Sequence, residues 1–141
     1  DIVGLVHALL DSGGVAVCNL HQTRWWSAEH WHEQIVAPRA PVAHRHVLIV
    51  HDEQPHDRWY HTRGMSLFGR PDLSVRGVSP DQFTTIPHLL DQLVRKQADG
   101  AVLPDGLEVT LGGVASWRCE TVGSRDDPQF HNRRVEFTPL A

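Results

Sequence analysis

The chain is poor in cysteine and in lysine, and it has no long uninterrupted apolar segment. Its two cysteines, Cys18 and Cys119, each fall in a predicted strand, and two residues cannot form the dense disulfide framework of a small secreted domain. We therefore expect two free thiols in a reducing, cytoplasmic setting. No segment reaches the roughly 18 apolar residues of a transmembrane helix, so the sequence predicts no membrane partner.

Basic residues are outnumbered and scattered. Lys96 is the only lysine, 13 basic residues stand against 17 acidic ones, and the formal net charge is −4 with histidine counted as neutral. No run of lysine and arginine exceeds two residues. Proteins that hold nucleic acid through its phosphates concentrate positive charge on one surface, so the sequence predicts no nucleic-acid partner.

The length of 141 residues allows one domain with a hydrophobic core, which we place over 1–141. A helix is predicted at the start, where apolar residues recur at three- and four-residue spacing and form one face. That face contains Ile2, Val3, Leu5, Val6, Leu9 and Leu10. Because this helix begins without a lead-in and the first residue is not methionine, we expect a fragment that lacks an N-terminal segment.

Helical and strand patterns are intermixed along the chain. The apolar, β-branched run 47–50 predicts a buried strand, and 58–62, beyond a polar loop, predicts its hairpin partner. A longer helix is predicted over 87–98, with an apolar stripe and a glycine stop. Strands in the last third are separated by turn residues, which predicts an antiparallel meander. The fold class is therefore α+β: a mixed, mostly antiparallel sheet with helices packed on one face, a two-layer sandwich.

Histidine is concentrated in one part of the chain, because seven of the 11 fall within 30–61. This density suggests a functional site, since imidazole binds metals, transfers protons and titrates near neutral pH. If 44–51 pairs with 58–62 in a hairpin, residues two apart share a face of their strand, and three imidazoles meet on one side. These are His44, His46 and His61.

Three converging imidazoles could bind Zn²⁺ and leave the fourth position open for water, as a catalytic zinc site requires. Asp52 or Glu53 could add a ligand or act as the general base. The same histidines also fit two other hypotheses. A one-residue change of register would leave them as exposed residues at a strand entrance and a loop rim. Their titration could instead make a pH sensor that responds between about pH 5 and 8.

A pair of adjacent tryptophans suggests a binding surface. Trp25 and Trp26 follow Arg24 in an extended segment, and neighbouring residues of such a segment cannot both point inward. Exposed tryptophan beside arginine is typical of a protein contact, so these three residues are the candidate interaction site. The alternative is that the exposed tryptophan covers the core against the missing N-terminal segment. The expected partner is accordingly another protein or that segment of the same chain.

No complete catalytic signature surrounds a candidate nucleophile. Ser66 lacks the second glycine of a nucleophile elbow, and neither cysteine lies in a reactive-thiol motif. The catalytic residues are therefore unknown from the sequence. The sequence favours a non-catalytic protein-interaction or structural module without a cofactor. The alternative is a metal-dependent hydrolase that uses zinc held by the histidine cluster.

Some segments are similar to those of a known family. The stretch 61–75 reads HTRGMSLFGRPDLSV, and a later turn at 104–107 reads PDGL. Upstream, Ala16 and Val17 open a strand, and Trp26 and Ser27 precede a helix. These segments resemble an uncharacterised bacterial family known only as a domain of unknown function. The resemblance implies the architecture and an absent N-terminal segment, but no known activity.

Overall fold

Helices and strands are intermixed along the first two thirds of the chain, and three strands make up the last third. The computed structural model describes residues 2–39, 42–111 and 115–140. The helices are α1 (Ile2–Asp11), α2 (Ala28–Trp31), α3 (Ala43–His46) and α4 (Thr85–Ala98). The strands are β1 (Ala16–Asn19), β2 (Arg24–Ser27), β3 (Leu48–Glu53), β4 (Arg58–Arg63), β5 (Asp72–Val78), β6 (Glu108–Leu111), β7 (Ala115–Val122) and β8 (Arg134–Pro139). A π-helical turn (His32–Val36) continues α2, and 3-10 turns cover Met65–Phe68 and Pro80–Gln82.

The strands of the described residues form a small hairpin and a larger sheet. β1 and β2 pair only with each other, and the larger sheet has the order β3-β4-β5-β8-β7-β6. All neighbours in the larger sheet are antiparallel except β5 and β8, which run parallel. The predicted α+β class, with a mixed and mostly antiparallel sheet, is confirmed.

One face of the larger sheet is covered by α4. The helix buries Ile86, Leu90, Leu93 and Val94, which recur at three- and four-residue spacing and so form one stripe. Their partners alternate along the strands and therefore share one face of the sheet. These partners are Tyr60, Leu73, Val75, Trp117, Cys119, Val135 and Phe137. The main core thus lies between α4 and the sheet, as the two-layer prediction requires.

The opposite face of the larger sheet carries polar and aromatic side chains. Trp59 and His61, two apart in β4, lie on this face, and both are buried. Ser74 lies opposite His61, and its hydroxyl accepts a hydrogen bond from Nε1 of Trp59 at 2.8 Å. Phe130 packs against both rings, with centroids 6.0 Å from Trp59 and 5.3 Å from His61. This cluster holds the loop 123–133 against the sheet.

A second, smaller core lies in the N-terminal part of the chain. Leu10 of α1, Trp26 of β2 and Trp31 of α2 form a buried cluster. The two indole rings meet edge to face, with centroids 6.4 Å apart. Ser27 begins α2 as its N-cap, and its hydroxyl accepts a hydrogen bond from the amide of His30 at 3.2 Å. Strand β1 is exposed to half-buried, since β2 is its one partner strand in the described residues.

Close contacts join this N-terminal unit to the larger sheet. Gln22 is buried in the turn between β1 and β2, and its side-chain amide donates to the carbonyl of Arg45 at 3.2 Å. The guanidinium of Arg45 donates in turn to the carbonyl of Gln34 at 3.3 Å. Gly64, after β4, has a φ of 113°, and a Cβ there would lie 2.4 Å from the carbonyl oxygen of His46. The close contact between the segment after β4 and the carbonyl of His46 therefore requires glycine at position 64.

Candidate functional site

The predicted interaction residues Arg24, Trp25 and Trp26 all lie on β2, where the strand separates them. Successive side chains of a strand point to opposite faces. Trp25 is 71% exposed, whereas Trp26 is 3% exposed and belongs to the N-terminal core. The prediction that one of the two indoles is exposed is confirmed. The prediction that both line an exposed patch is wrong for Trp26.

Arg24 packs against the molecule itself. Its guanidinium lies over the ring of Trp26, 3.9 Å from the centroid, which is a cation–π contact. This contact stabilises the N-terminal core and keeps the Arg24 side chain half-buried. Of the three predicted residues, Trp25 is therefore the one most accessible to a partner.

The apolar residues of α1 form one face, as the sequence predicts, but only part of that face is buried. Val3, Val6 and Leu10 pack in the N-terminal core. An outward stripe consists of Ile2, Leu5 and Leu9, which are 77%, 61% and 61% exposed. At about 100° per residue these six side chains span about 160° of the helix surface, which is more than the small core covers. The sequence pattern predicts the face but does not show how much of it is packed.

Exposed apolar residues are concentrated at this end of the molecule. Of the nine large hydrophobic side chains that are exposed in the described ranges, six fall within residues 2–25. They comprise the outward stripe of α1 together with Val15, Leu20 and Trp25. We call Ile2, Leu5, Leu9 and Trp25 together the N-terminal apolar surface; the first three lie on α1, and Trp25 projects from the face of β2 opposite to Trp26. Such a concentration is typical of a contact surface, since single scattered apolar residues are the ordinary case.

The predicted histidine triad is not assembled. His44 and His46 lie in the helical turn α3, whereas His61 lies in β4. The partner strand β3 begins only at Leu48. A hairpin of 44–51 with 58–62 centred on the loop 52–57 would place Leu48 opposite His61, whereas the structure places Val50 there, a shift of two residues. The face that His61 occupies is unchanged by this shift, but the other two histidines are no longer on a strand.

His46 has an aromatic neighbour in place of a metal-binding partner. Its ring meets that of Phe68 edge to face, with centroids 6.1 Å apart. Burial lowers the pKa of His46, and the charge of Arg45 acts in the same direction. Among the residues with described positions, no three His, Cys, Asp or Glu side chains are placed to hold one metal ion. The zinc site predicted from His44, His46 and His61 is therefore wrong.

His61 is a buried structural residue. It is 3% exposed and stacks on Trp59, with centroids 4.5 Å apart. Its Nδ1 has no hydrogen-bond partner in the described part of the chain. Desolvation lowers the pKa of His61 to about 4, and the charge of Arg63 adds to the effect. This value lies below the window of pH 5 to 8 in which the sensor hypothesis requires titration.

The two predicted carboxylate ligands have other neighbours. Asp52 lies 3.9 Å from Nδ1 of His61, at the outer limit of an ion pair. Its charge favours protonation of that ring, but desolvation outweighs it. Glu53 accepts from the guanidinium of Arg58 at 3.0 Å. Neither carboxylate therefore completes a metal site.

Comparison with known proteins identifies no relative. No protein-family model, no curated protein and no solved structure matches the chain. The resemblance to an uncharacterised bacterial family stays a prediction. None of the helices described is both long and apolar enough to cross a membrane. Function is therefore argued from the N-terminal apolar surface itself.

Proposed function

We propose that this domain is a non-catalytic protein-interaction module that binds its partner through the N-terminal apolar surface. The observation that carries the proposal is the outward stripe of α1. Ile2, Leu5 and Leu9 are exposed although they continue the apolar face whose other part packs in the N-terminal core. The apolar face of an amphipathic helix is normally covered, and a partner would supply the missing cover.

The spacing of the stripe favours a helix as the partner element. Ile2, Leu5 and Leu9 are three and four residues apart, the spacing by which two helices interlock along a seam. The ten residues of α1 span about 15 Å, enough for a short helix-in-groove contact. We infer that the partner contributes an amphipathic helix whose apolar face lies along α1.

Trp25 favours a different protein over a second copy of this chain. A stable interface buries about 800 Å² on each partner, which a symmetric pairing of two short seams would not reach. A different protein with a longer apolar face can cover α1 and also receive the indole of Trp25. Tryptophan in such a position often contributes a large share of the binding free energy.

The setting of this interaction is inferred from composition. Cys18 and Cys119 are both free, which supports a reducing, cytoplasmic environment. The net charge of −4 and the absence of long basic runs support a protein partner over nucleic acid. Bacterial origin is supported by the family resemblance alone.

Site-specific photo-crosslinking tests the proposal. A photo-reactive phenylalanine analogue is placed at Leu5 or at Trp25 in separate variants, and at Val102 as a control. Val102 is 69% exposed but lies in a loop between α4 and β6. The proposal predicts that positions 5 and 25 crosslink to one protein, at an amphipathic helix identified by mass spectrometry, and that position 102 does not.

Three outcomes would overturn the proposal. Crosslinks between copies of this chain would identify self-association in place of a different partner. Equal crosslinking at Val102 would show that the captured protein does not bind the N-terminal apolar surface in preference to other exposed apolar residues. The absence of any adduct at Leu5 and Trp25 would leave the surface without a partner in the cell.

A further inference from the structure

A basic cleft lies at the N-terminal end of β5 and includes none of the residues of the N-terminal apolar surface. Its volume is about 220 Å³, and its walls come from the 3-10 turn after β4 and from the loop before β8. The polar residues that line it are Ser66, Arg70, Arg125, His131, Asn132 and Arg133. No Asp or Glu is among the residues that line this cleft. The cleft therefore has one sign of charge in a chain whose net charge is negative.

The arginines of the basic cleft are not neutralised by the protein. Arg125 and Arg133 have no side-chain hydrogen bond or ion pair with the residues that the structure describes. Arg70 donates only to carbonyls, those of Gln97 at 3.2 Å and Gly100 at 2.8 Å. The lining thus includes two arginines, Arg125 and Arg133, that no carboxylate neutralises, whereas the guanidinium of Arg70 is engaged at the C-terminal end of α4. Neighbouring like charges are unfavourable unless an anion joins them.

The lack of a counter-charge is local to the cleft, because the neighbouring Arg134 is paired with carboxylates. Its guanidinium pairs with Asp127 and with Glu136, each at 3.0 Å. The protein therefore supplies counter-charges one residue away from Arg133 and none for Arg133 itself. The guanidinium of Arg133, unpaired within the described residues, is therefore available to an external anion.

The wall between the arginines is fixed by a buried amide. The Nδ2 of Asn132 donates to the carbonyl of Arg70 at 2.9 Å and to Oδ2 of Asp72 at 2.8 Å. The other oxygen of Asp72 accepts from Thr62 and from the amide of Met65, at 2.9 and 3.2 Å. Asn132 is buried, so these bonds tie both sides of the cleft together.

The loop that carries His131 is held in an unusual conformation. His131 has a φ of 53°, in the left-handed region that residues other than glycine seldom adopt. Its amide donates to the carbonyl of Asp127 at 2.7 Å. The Asp127 carboxylate accepts from the amides of Gln129 and Phe130, each at 2.9 Å. The loop is thus preorganised before a ligand arrives.

A hydroxyl completes the polar lining. Oγ of Ser66 lies 3.0 Å from Nδ1 of His21, at hydrogen-bond distance. This contact fixes the Ser66 hydroxyl beside the cleft, and when Nδ1 of His21 is the donor, the Ser66 hydroxyl can donate its own proton to an oxyanion. The combination of guanidinium forks and a hydroxyl donor is typical of phosphate recognition.

We propose that the basic cleft binds the phosphate group of a small molecule, with Arg125 and Arg133 as its main donors. Guanidinium matches two phosphate oxygens at once, and a dianion offsets the charges of Arg125 and Arg133 better than a single carboxylate would. The volume of about 220 Å³ is below the roughly 300 to 1,000 Å³ of pockets for drug-sized ligands, which favours a small phosphate-bearing group. This site is independent of the proposed protein contact.

A titration with inorganic phosphate tests the proposal. Phosphate is added to isotope-labelled protein at constant ionic strength, with chloride as the compensating ion, while nuclear magnetic resonance follows the arginine Nε–H signals and the amides of 123–133. We expect saturable shifts confined to the cleft. In Arg133→Gln and in Arg125→Gln the affinity should fall by at least about tenfold, because a charge-assisted bidentate contact is lost.

Arg118→Gln is the matched control. It removes the same charge from an exposed guanidinium that pairs with Glu108 at 2.8 Å and does not line the cleft. Its phosphate affinity should equal that of the wild type. Shifts that are absent, that do not saturate or that persist unchanged in well-folded Arg133→Gln and Arg125→Gln would overturn the proposal. Binding that strengthens with the length of an added oligonucleotide would overturn the assignment to a small molecule.

Discussion

At the scale of single residues, environment outweighs residue type. His61 belongs to the densest histidine segment of the chain, yet it lies between aromatic rings and is shielded from solvent. Trp25 and Trp26 are identical side chains, and the alternation of one strand gives them opposite environments. Composition alone therefore identifies candidate residues, but burial decides which of them can act on a ligand or a partner.

The burial of His61 predicts a pH dependence of stability. Its pKa falls from 6.5 to about 4 on folding, so the unfolded chain binds a proton in this interval that the folded chain does not. The contribution of His61 to stability is complete above pH 6.5 and is lost as the pH falls toward 4. From about pH 7.5 to about pH 5, the wild type should lose about 2 kcal/mol more unfolding free energy than His61→Phe.

Urea unfolding at the two pH values measures this difference. The control is His56→Gln, since His56 is exposed in the turn between β3 and β4 and its replacement should keep the wild-type slope. Equal pH dependence in His61→Phe and in the wild type would contradict the account of His61 as a neutral buried residue.

A side chain at Gly64 should destabilise the fold. The φ of Gly64 is 113°, and a Cβ there would lie 2.4 Å from the carbonyl oxygen of His46, so both the backbone conformation and the available space oppose a substitution. Gly69 also has a positive φ, 67°, but a Cβ there would meet nothing within 4 Å. Gly64→Ala should therefore lower the free energy of unfolding by at least about 2 kcal/mol more than Gly69→Ala. Thermal or urea unfolding of the two variants checks this, and equal losses would show that the junction tolerates a side chain.

At the scale of elements, periodicity predicts where helices occur better than it predicts how much of their apolar face is buried. Residues 87–98 show one apolar stripe, and the helix Thr85–Ala98 buries that stripe on the sheet. The helix Ile2–Asp11 has one broad apolar face, and its pattern does not show that only part of this face is packed. The clear apolar run after residues 44–46 predicts a strand entrance at these residues. They form a helical turn instead, and a run of three polar residues carries too little pattern to show this.

The orientation of α1 predicts unequal effects of two similar substitutions. Leu10 is buried with Trp26 and Trp31, whereas Leu5 lies on the outward stripe. Leu10→Ala should lower the free energy of unfolding by about 2 to 3 kcal/mol, because it leaves a cavity in the small core. Leu5→Ala should change it by less than about 0.5 kcal/mol. Urea unfolding of both variants decides the matter, and a larger loss for Leu5→Ala would mean that the helix is rotated from the orientation described.

At the scale of the whole molecule, the fold class follows from the sequence because every element contributes its own local pattern. The hairpin β3–β4 and the meander β6-β7-β8 join strands that are neighbours in the chain. The parallel pairing of β5 with β8 joins strands far apart in sequence, and no local pattern signals it. The basic cleft has the same origin, since Arg70, Arg125 and Arg133 meet only after that pairing forms. A search for basic runs cannot find such a site.

The central claim is that the N-terminal apolar surface binds a helix of another protein, and the equilibrium affinity for the purified crosslinked partner tests it most directly. Each buried leucine contributes about 1.5 to 3 kcal/mol, so Leu5→Gln combined with Leu9→Gln should weaken binding by at least about 100-fold. Val102→Gln, which changes an exposed residue elsewhere, should leave the affinity unchanged. An affinity of the double variant within about twofold of the wild type would contradict the claim, because an interface that loses two central leucines cannot keep its binding free energy.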